Sequence, residues 1–247
     1  MKDLQFVTVV TYGRTGSTVI QAALNALPGV LVRGENYAAF RGLQAYVQSI
    51  AETADRHHAG RPSNPWFGSA KLDPNEVVTD IRRHVVDTVL RPRPSTAWLG
   101  FKEIRYEPGH FASYDLLLSY LLFLDTLFPG IRYVVNVRDP ESAARSGWWP
   151  DHGDPIAALA QTRAWLAEAV EDLTRMLGTG RAVLLDYDTW TDSPAALAEA
   201  FASVGLPRDE AAVRTAMGER LSHGAHASYG DEGDAYHDGQ ADGGGSR

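Results

Sequence analysis

Eight consecutive residues, Thr11-Tyr12-Gly13-Arg14-Thr15-Gly16-Ser17-Thr18, contain the groups needed to hold an oxyanion. Gly13 and Gly16 permit a tight turn whose successive N–H groups point into one concavity. Ser17 and Thr18 add hydroxyl donors, and Arg14 adds a cation. A helix beginning at residue 17 would contribute the partial positive charge of its N-terminus. The run departs from the Gly-x4-Gly-Lys-[Ser/Thr] nucleotide loop. Aligning Gly16-Ser17-Thr18 on its end puts Thr11 at the first glycine and Ser17 at the lysine. A triphosphate would then lack its main β/γ-phosphate contact, which argues against an ATPase or GTPase. A second anion-binding group stands at Arg138, where the apolar run Tyr133-Val-Val-Asn-Val137 ends in Arg138-Asp139-Pro140. An arginine at a strand end can fork two N–H donors onto a phosphate, and Ser146 follows eight residues later.

Proton-handling groups cluster elsewhere. Glu35 follows a short apolar run and Gly34, which lets the backbone bring the carboxylate close; Arg33 could instead neutralise it. Gly100-Phe101-Lys102-Glu103-Ile104-Arg105 places two cations and an acid at another strand end. Alternation puts Lys102 opposite Phe101 and Glu103, so Lys102 is the expected anion or acceptor contact and Glu103 the reserve base. Arg105 is the next candidate contact, and His110 and His152 are loop histidines within the same reach. His57-His58 reads as a solvated helix end. His223-Gly-Ala-His226 with Asp231 and His237 has loose metal-like spacing in a glycine-rich stretch, and no metal site is expected.

These groups require a scaffold that gathers strand ends. Residues 5–11, 30–32, 98–104, 132–137 and 182–185 read as short apolar strands. Residues 17–27, 36–59, 75–90, 114–128, 154–177 and 194–204 read as helices, and 140–147 as the start of another, with Ser146 on it. The alternation predicts an α/β fold of three layers, P-loop-like, with a central parallel sheet flanked by helices. In such a sheet the ligand sits beyond the carboxyl ends of the strands.

Three segments resemble one family. The loop 11–18 is similar to the 5′-phosphosulfate loop of sulfotransferases that use 3′-phosphoadenosine-5′-phosphosulfate. The strand ending in Arg138-Asp139-Pro140 with Ser146 resembles the family's 3′-phosphate signature. Leu184-Leu-Asp-Tyr187-Asp188, then Pro194 and Val204-Gly-Leu-Pro207, resembles its Tyr-Glu-Asp-Leu…Pro…Leu-Gly-Leu-Pro segment, with Asp188 where glutamate is commoner. The resemblance implies donor contacts from Arg14, Thr15, Gly16, Ser17, Thr18, Arg138, Ser146 and Tyr187, the last near the adenine. Gly34-Glu35 is similar to the Gly-Glu of protein-tyrosine and some carbohydrate sulfotransferases, which implies that Glu35 is the catalytic base. Lys102 and Arg14 are the implied catalytic cations. The implied reaction transfers a sulfuryl group to a hydroxyl of a small molecule or glycan, leaving adenosine 3′,5′-bisphosphate. The family's C-terminal Arg-Lys-Gly pattern is absent from residues 220–228. A nucleotide kinase and a non-catalytic nucleotide-binding module are the alternatives.

Composition sets the outer limits. The 247 residues carry a net charge of -8, which disfavours nonspecific binding to nucleic acid or anionic membranes. There is no cysteine, hence no disulfide, thiolate metal site or cysteine nucleophile. No stretch approaches the roughly 20 apolar residues of a membrane span, and a cytoplasmic protein is expected. Residues 230–247 hold five acidic residues against one basic, and a single large apolar residue, Tyr236. They read as a disordered tail to a catalytic domain over 1–229. Oligomeric state has no signature.

Overall fold

The structure, a computed structural model, describes residues 4–56, 61–149 and 153–223. Five strands pair in parallel: β1 (Gln5–Val10), β2 (Val30–Arg33), β3 (Trp98–Glu103), β4 (Arg132–Val137) and β5 (Ala182–Asp186). Their order across the sheet is β2-β3-β1-β4-β5, so the loop after β1 leaves from the middle. The strands are apolar on both faces because both faces are covered. Phe6, Val10, Leu99, Phe101, Tyr133 and Val135 enter one core, and Val7, Val9, Trp98 and Val134 enter the other.

The first core is closed by α2 (Ala39–Ala54), α3 (Pro74–His84), α4 (Tyr114–Leu127) and α6 (Pro155–Leu177). The second is closed by α1 (Ser17–Ala26), α8 (Pro194–Ser203) and α9 (Glu210–His223). Two short helices, α5 (Pro140–Ala144) and α7 (Tyr187–Trp190), follow β4 and β5 directly. The expected three-layer α/β architecture is therefore present. At Gly100 a Cβ would lie 1.8 Å from the Val7 carbonyl oxygen, so only glycine lets β3 approach β1 at this point.

Several edges differ from the sequence reading. The helix expected over 36–59 begins at Ala39, because Tyr37 and Ala38 take left-handed backbone conformations, φ 57° and 55°. The helix expected over 75–90 widens into a π-helical turn at Val85–Leu90 and is ended by Arg91, also left-handed at φ 48°. The segment 140–147 is helical only through Ala144. Helices α7 and α9 were not expected. In α9, Val213, Ala216 and Met217 supply the buried contacts, too weak a stripe to stand out among its alanines. His57, His58, His152, His226, Asp231, His237 and the acidic tail 230–247 lie outside the described residues. Among the described residues, no helix is long and apolar enough to cross a membrane, and no group of three or more His, Asp or Glu could hold a metal ion.

Candidate active site

All the segments singled out for chemistry leave the sheet at the carboxyl ends of its strands. The register sets Val10 beside both Glu103 and Val135, Arg33 beside Phe101, and Val137 beside Asp186. Adjacent strands lie about 4.8 Å apart, so the five following loops share one rim.

The loop after β1 is held from beneath by neutral groups. Thr11 Oγ1 donates to the Asn136 carbonyl at 2.6 Å and lies 2.7 Å from Thr15 Oγ1. Asn136 Nδ2 donates to the Thr15 carbonyl at 2.8 Å, while its Oδ1 accepts from Trp190 Nε1 at 2.9 Å. Trp149 Nε1 donates to the Gly13 carbonyl at 3.2 Å. The Tyr12 hydroxyl accepts the Arg138 N–H at 2.8 Å and donates to the Arg138 carbonyl. Burial pushes the Tyr12 phenol up to about 12.

Above this base the loop carries its cations. Arg14 sits at φ 70°, a left-handed conformation that costs a side-chain-bearing residue on the order of 1 kcal/mol. Its Nε donates to Ser146 Oγ at 3.0 Å, and Arg138 Nη1 donates to the Arg14 carbonyl at 2.9 Å. The Arg138 guanidinium lies over the Tyr187 ring, 4.2 Å from its centroid, and its Nε is buried without a hydrogen-bond partner among the described residues. Neither Arg14 nor Arg138 has an ion-pair partner among the described residues. Gly16, at φ 76°, starts α1; a Cβ there would meet the Tyr187 ring at 2.6 Å. Helices α3 to α8 each begin at an Asp or Ser whose side chain accepts a first-turn N–H. Helix α1 has no side-chain cap. Its first N–H groups lie at the carboxyl end of β1 near Arg14 and Arg138, an arrangement suited to an anion.

The other half of the rim is charge-compensated. Lys102 Nζ donates to Glu35 Oε1 at 2.7 Å, and Arg105 Nη1 reaches Glu35 Oε2 at 3.2 Å and Glu103 Oε1 at 2.7 Å. Lys102 is buried, and alternation from Phe101 turns it toward the face covered by α1. The Glu35 side chain is 32% exposed, open enough to meet a second substrate. Glu103 is 1% exposed. Burial alone would raise its pKa, but N–H donation from Ala38 and Ile104 and the Arg105 guanidinium together hold it below the usual carboxylate range. Asn36 N–H also donates to it, at 3.2 Å. Glu103 thus fastens the left-handed turn that presents Glu35. With its acceptor positions occupied, it is a poor reserve base. Arg33 does not neutralise Glu35: it donates to the Leu90 and Arg91 carbonyls at 2.7 and 2.9 Å.

Other candidates are redistributed. Ser146 lies in the turn after α5 rather than on a helix, and reaches the loop through Arg14. Of the two adjacent tryptophans, Trp148 is 43% exposed and Trp149 is 8% exposed. Phe40 belongs to the core against Phe101, whereas Tyr37 is exposed with the Arg105 guanidinium 4.2 Å from its ring centroid. His110 Nε2 pairs with Glu107 at 3.4 Å. Sequence reasoning passed over Tyr12, Asn136, Trp149 and Trp190 as supports of the loop. Asn136 alone left a signal, as the one polar residue in the buried run of β4.

The family model described as "Sulfotransferase family" matches residues 7–210. Among solved structures, the sulfotransferase domain from the curacin biosynthetic pathway superposes with a TM-score of 0.50 at 13% identity. The match covers 85% of this chain and 76% of that one. The sulfotransferase domain of the Synechococcus PCC 7002 olefin synthase gives 0.49 at 18% identity, over 86% and 77% of the two chains. Sulfotransferase STF9 from Mycobacterium avium gives 0.48 at 14% identity, over 90% and 69%. At these identities the likeness is one of fold. No curated protein matches the chain in sequence. The match over residues 7–210 spans both the loop after β1 and the Arg138 segment, and the chain belongs to the sulfotransferase family.

Proposed function

We propose that this chain moves a sulfuryl group from 3′-phosphoadenosine-5′-phosphosulfate to a hydroxyl of a small molecule or glycan. The supporting observation is the junction of the two anion-binding segments. Arg138 donates to the Arg14 carbonyl and Arg14 donates to Ser146, so one continuous surface carries two cations that have no carboxylate partner among the described residues, which suits two phosphates of one nucleotide. The buried Arg138 Nε, unpartnered among the described residues, suits an anion acceptor.

The bound donor supplies an activated sulfate, and the residues around it bind, orient and move a proton. The N–H groups of Thr15, Gly16, Ser17 and Thr18, with the Ser17 and Thr18 hydroxyls and Arg14, hold the 5′-phosphosulfate end. Arg138 and Ser146 hold the 3′-phosphate, and Tyr187 borders the adenine. Glu35 takes the acceptor's proton on a carboxylate oxygen as the acceptor oxygen bonds to sulfur and the sulfur–oxygen bond to the 5′-phosphate breaks. Lys102, on the α1 side of the sheet, stabilises charge on the departing oxygen. Arg105 holds Glu35 in place throughout.

Calorimetric titration with adenosine 3′,5′-bisphosphate, ATP and GTP tests the donor. The bisphosphate is expected to bind at least about tenfold more tightly than either triphosphate, because the loop lacks a lysine for the γ-phosphate. Tighter binding of ATP or GTP would point to a nucleotide kinase. Binding of the bisphosphate with no labelled product across a broad hydroxyl acceptor panel would point to a non-catalytic module.

A further inference from the structure

Tyr12 is a buried titratable residue that the transfer chemistry does not use. It belongs to the phosphate loop, yet its ring is fully buried in the core that also contains Val135 and Val137 of β4. Its hydroxyl meets the backbone of Arg138 twice, accepting from the N–H and donating to the carbonyl. One hydroxyl bonded to both peptide groups of a residue restricts rotation on either side of that residue's Cα. The Arg138 side chain returns to the loop through Nη1 and the Arg14 carbonyl, and the Arg14 side chain continues to Ser146. Residues 12, 138, 14 and 146 thus form a chain of hydrogen bonds running from the loop to the Arg138 segment, back to the loop, and on to the turn after α5. With its pKa raised by burial to about 12, the phenol stays a neutral donor at working pH.

We infer that Tyr12 is a positioning residue for Arg138, coupling the loop to that arginine so that the site selects nucleotides carrying both a 5′- and a 3′-phosphate over nucleotides carrying one. The inference rests on the donor reading above, and names the residue that makes that reading selective. A phenylalanine at 12 keeps the ring in its core position and removes only the hydroxyl. The Arg138 backbone then loses both bonds, and its guanidinium is held only by its own contacts to the Arg14 carbonyl and the Tyr187 ring. A ligand touching only the loop would be little affected.

The test measures adenosine 3′,5′-bisphosphate and AMP affinities by calorimetry for the unchanged protein, Tyr12→Phe, Arg138→Ala and the double variant. Tyr12→Phe is expected to weaken the bisphosphate about five- to tenfold and AMP by less than about twofold. In the Arg138→Ala background the same change is expected to cost the bisphosphate less than about twofold, because the group it positions is gone. Equal losses for both ligands, or a loss that persists without Arg138, would overturn the inference and leave Tyr12 a support of the fold. Were the unchanged protein to bind the bisphosphate no better than AMP, the donor reading would fall and this inference with it. A bisphosphate preference undiminished in Tyr12→Phe would remove the inference alone. Should Tyr12→Phe not fold, amide exchange at Arg138 in the unchanged protein decides. Adenosine 3′,5′-bisphosphate is expected to slow that exchange more than AMP does at equal saturation; equal slowing by the two ligands would overturn the coupling.

Discussion

The two halves of the rim are built on opposite electrostatic plans. Around β1 and β4 the supports are neutral: Thr11, Tyr12, Asn136, Trp149 and Trp190 hold the backbone, and Arg14 and Arg138 have no carboxylate partner among the described residues. Around β2 and β3 the supports are charged, with Lys102 and Arg105 set against Glu35 and Glu103. A neutral frame leaves positive charge available for an incoming polyanion. A compensated cluster holds a carboxylate at fixed geometry without adding net field. One half is suited to bind a doubly phosphorylated donor, and the other to receive a proton from a neutral hydroxyl.

The sharpest way to break this division is Glu35→Gln. Loss of a general base is expected to lower kcat about 10²- to 10⁴-fold, or roughly 3–5 kcal/mol of barrier. Affinity for adenosine 3′,5′-bisphosphate should hold or rise slightly, since the change removes negative charge from the rim. Normal turnover would move the proton-accepting role to another group, with His110 next in line.

Glu103→Gln probes the same half through stability. Replacing a buried, multiply bonded carboxylate is expected to cost about 3 kcal/mol, read as a lower denaturant midpoint. The sign with pH follows from the lowered pKa of Glu103 in the folded state. Its stabilising contribution is complete above the ordinary glutamate value and is lost as pH falls through the folded value. The gap between wild type and variant should therefore close in acid, below about pH 4.5. A pH-independent gap would mean that shape, not charge, holds the turn at 36–38.

On the donor side, Arg138→Ala is expected to weaken adenosine 3′,5′-bisphosphate about ten- to a hundredfold while AMP changes far less. Equal losses would remove the 3′-phosphate assignment. The smallest expected effect is that of Asn136→Ala, about 1–2 kcal/mol of stability, from leaving the Thr15 carbonyl and Trp190 Nε1 without their partner. Because Asn136 does not titrate, this loss should persist as pH falls below about 4.5, where that of Glu103 closes. Parallel behaviour of the two variants would collapse the distinction between a neutral and a charged half.

Much of the architecture is legible in short-range pattern. Continuous apolar strands alternating with amphipathic segments require a covered parallel sheet, and a glycine-rich turn between strand and helix requires its loop at the carboxyl edge. The types and spacing of Arg14, Gly16, Arg138 and Ser146 raised the expectation of an anion site, because cations, N–H groups and hydroxyls are the groups that bind anions, and folding brings Arg14, Arg138 and Ser146 together. Sequence could not separate Glu35 from Glu103. Both are carboxylates near strand ends, and only the packed structure buries one under three backbone N–H donors and leaves the other open. Alternation did separate Lys102 from Glu103, since it is a property of the strand itself. The roles of Tyr12, Asn136 and Trp190 were decided by tertiary structure alone. Each bonds across more than fifty residues of chain, and a buried polar group acquires its meaning from the partner that folding brings to it.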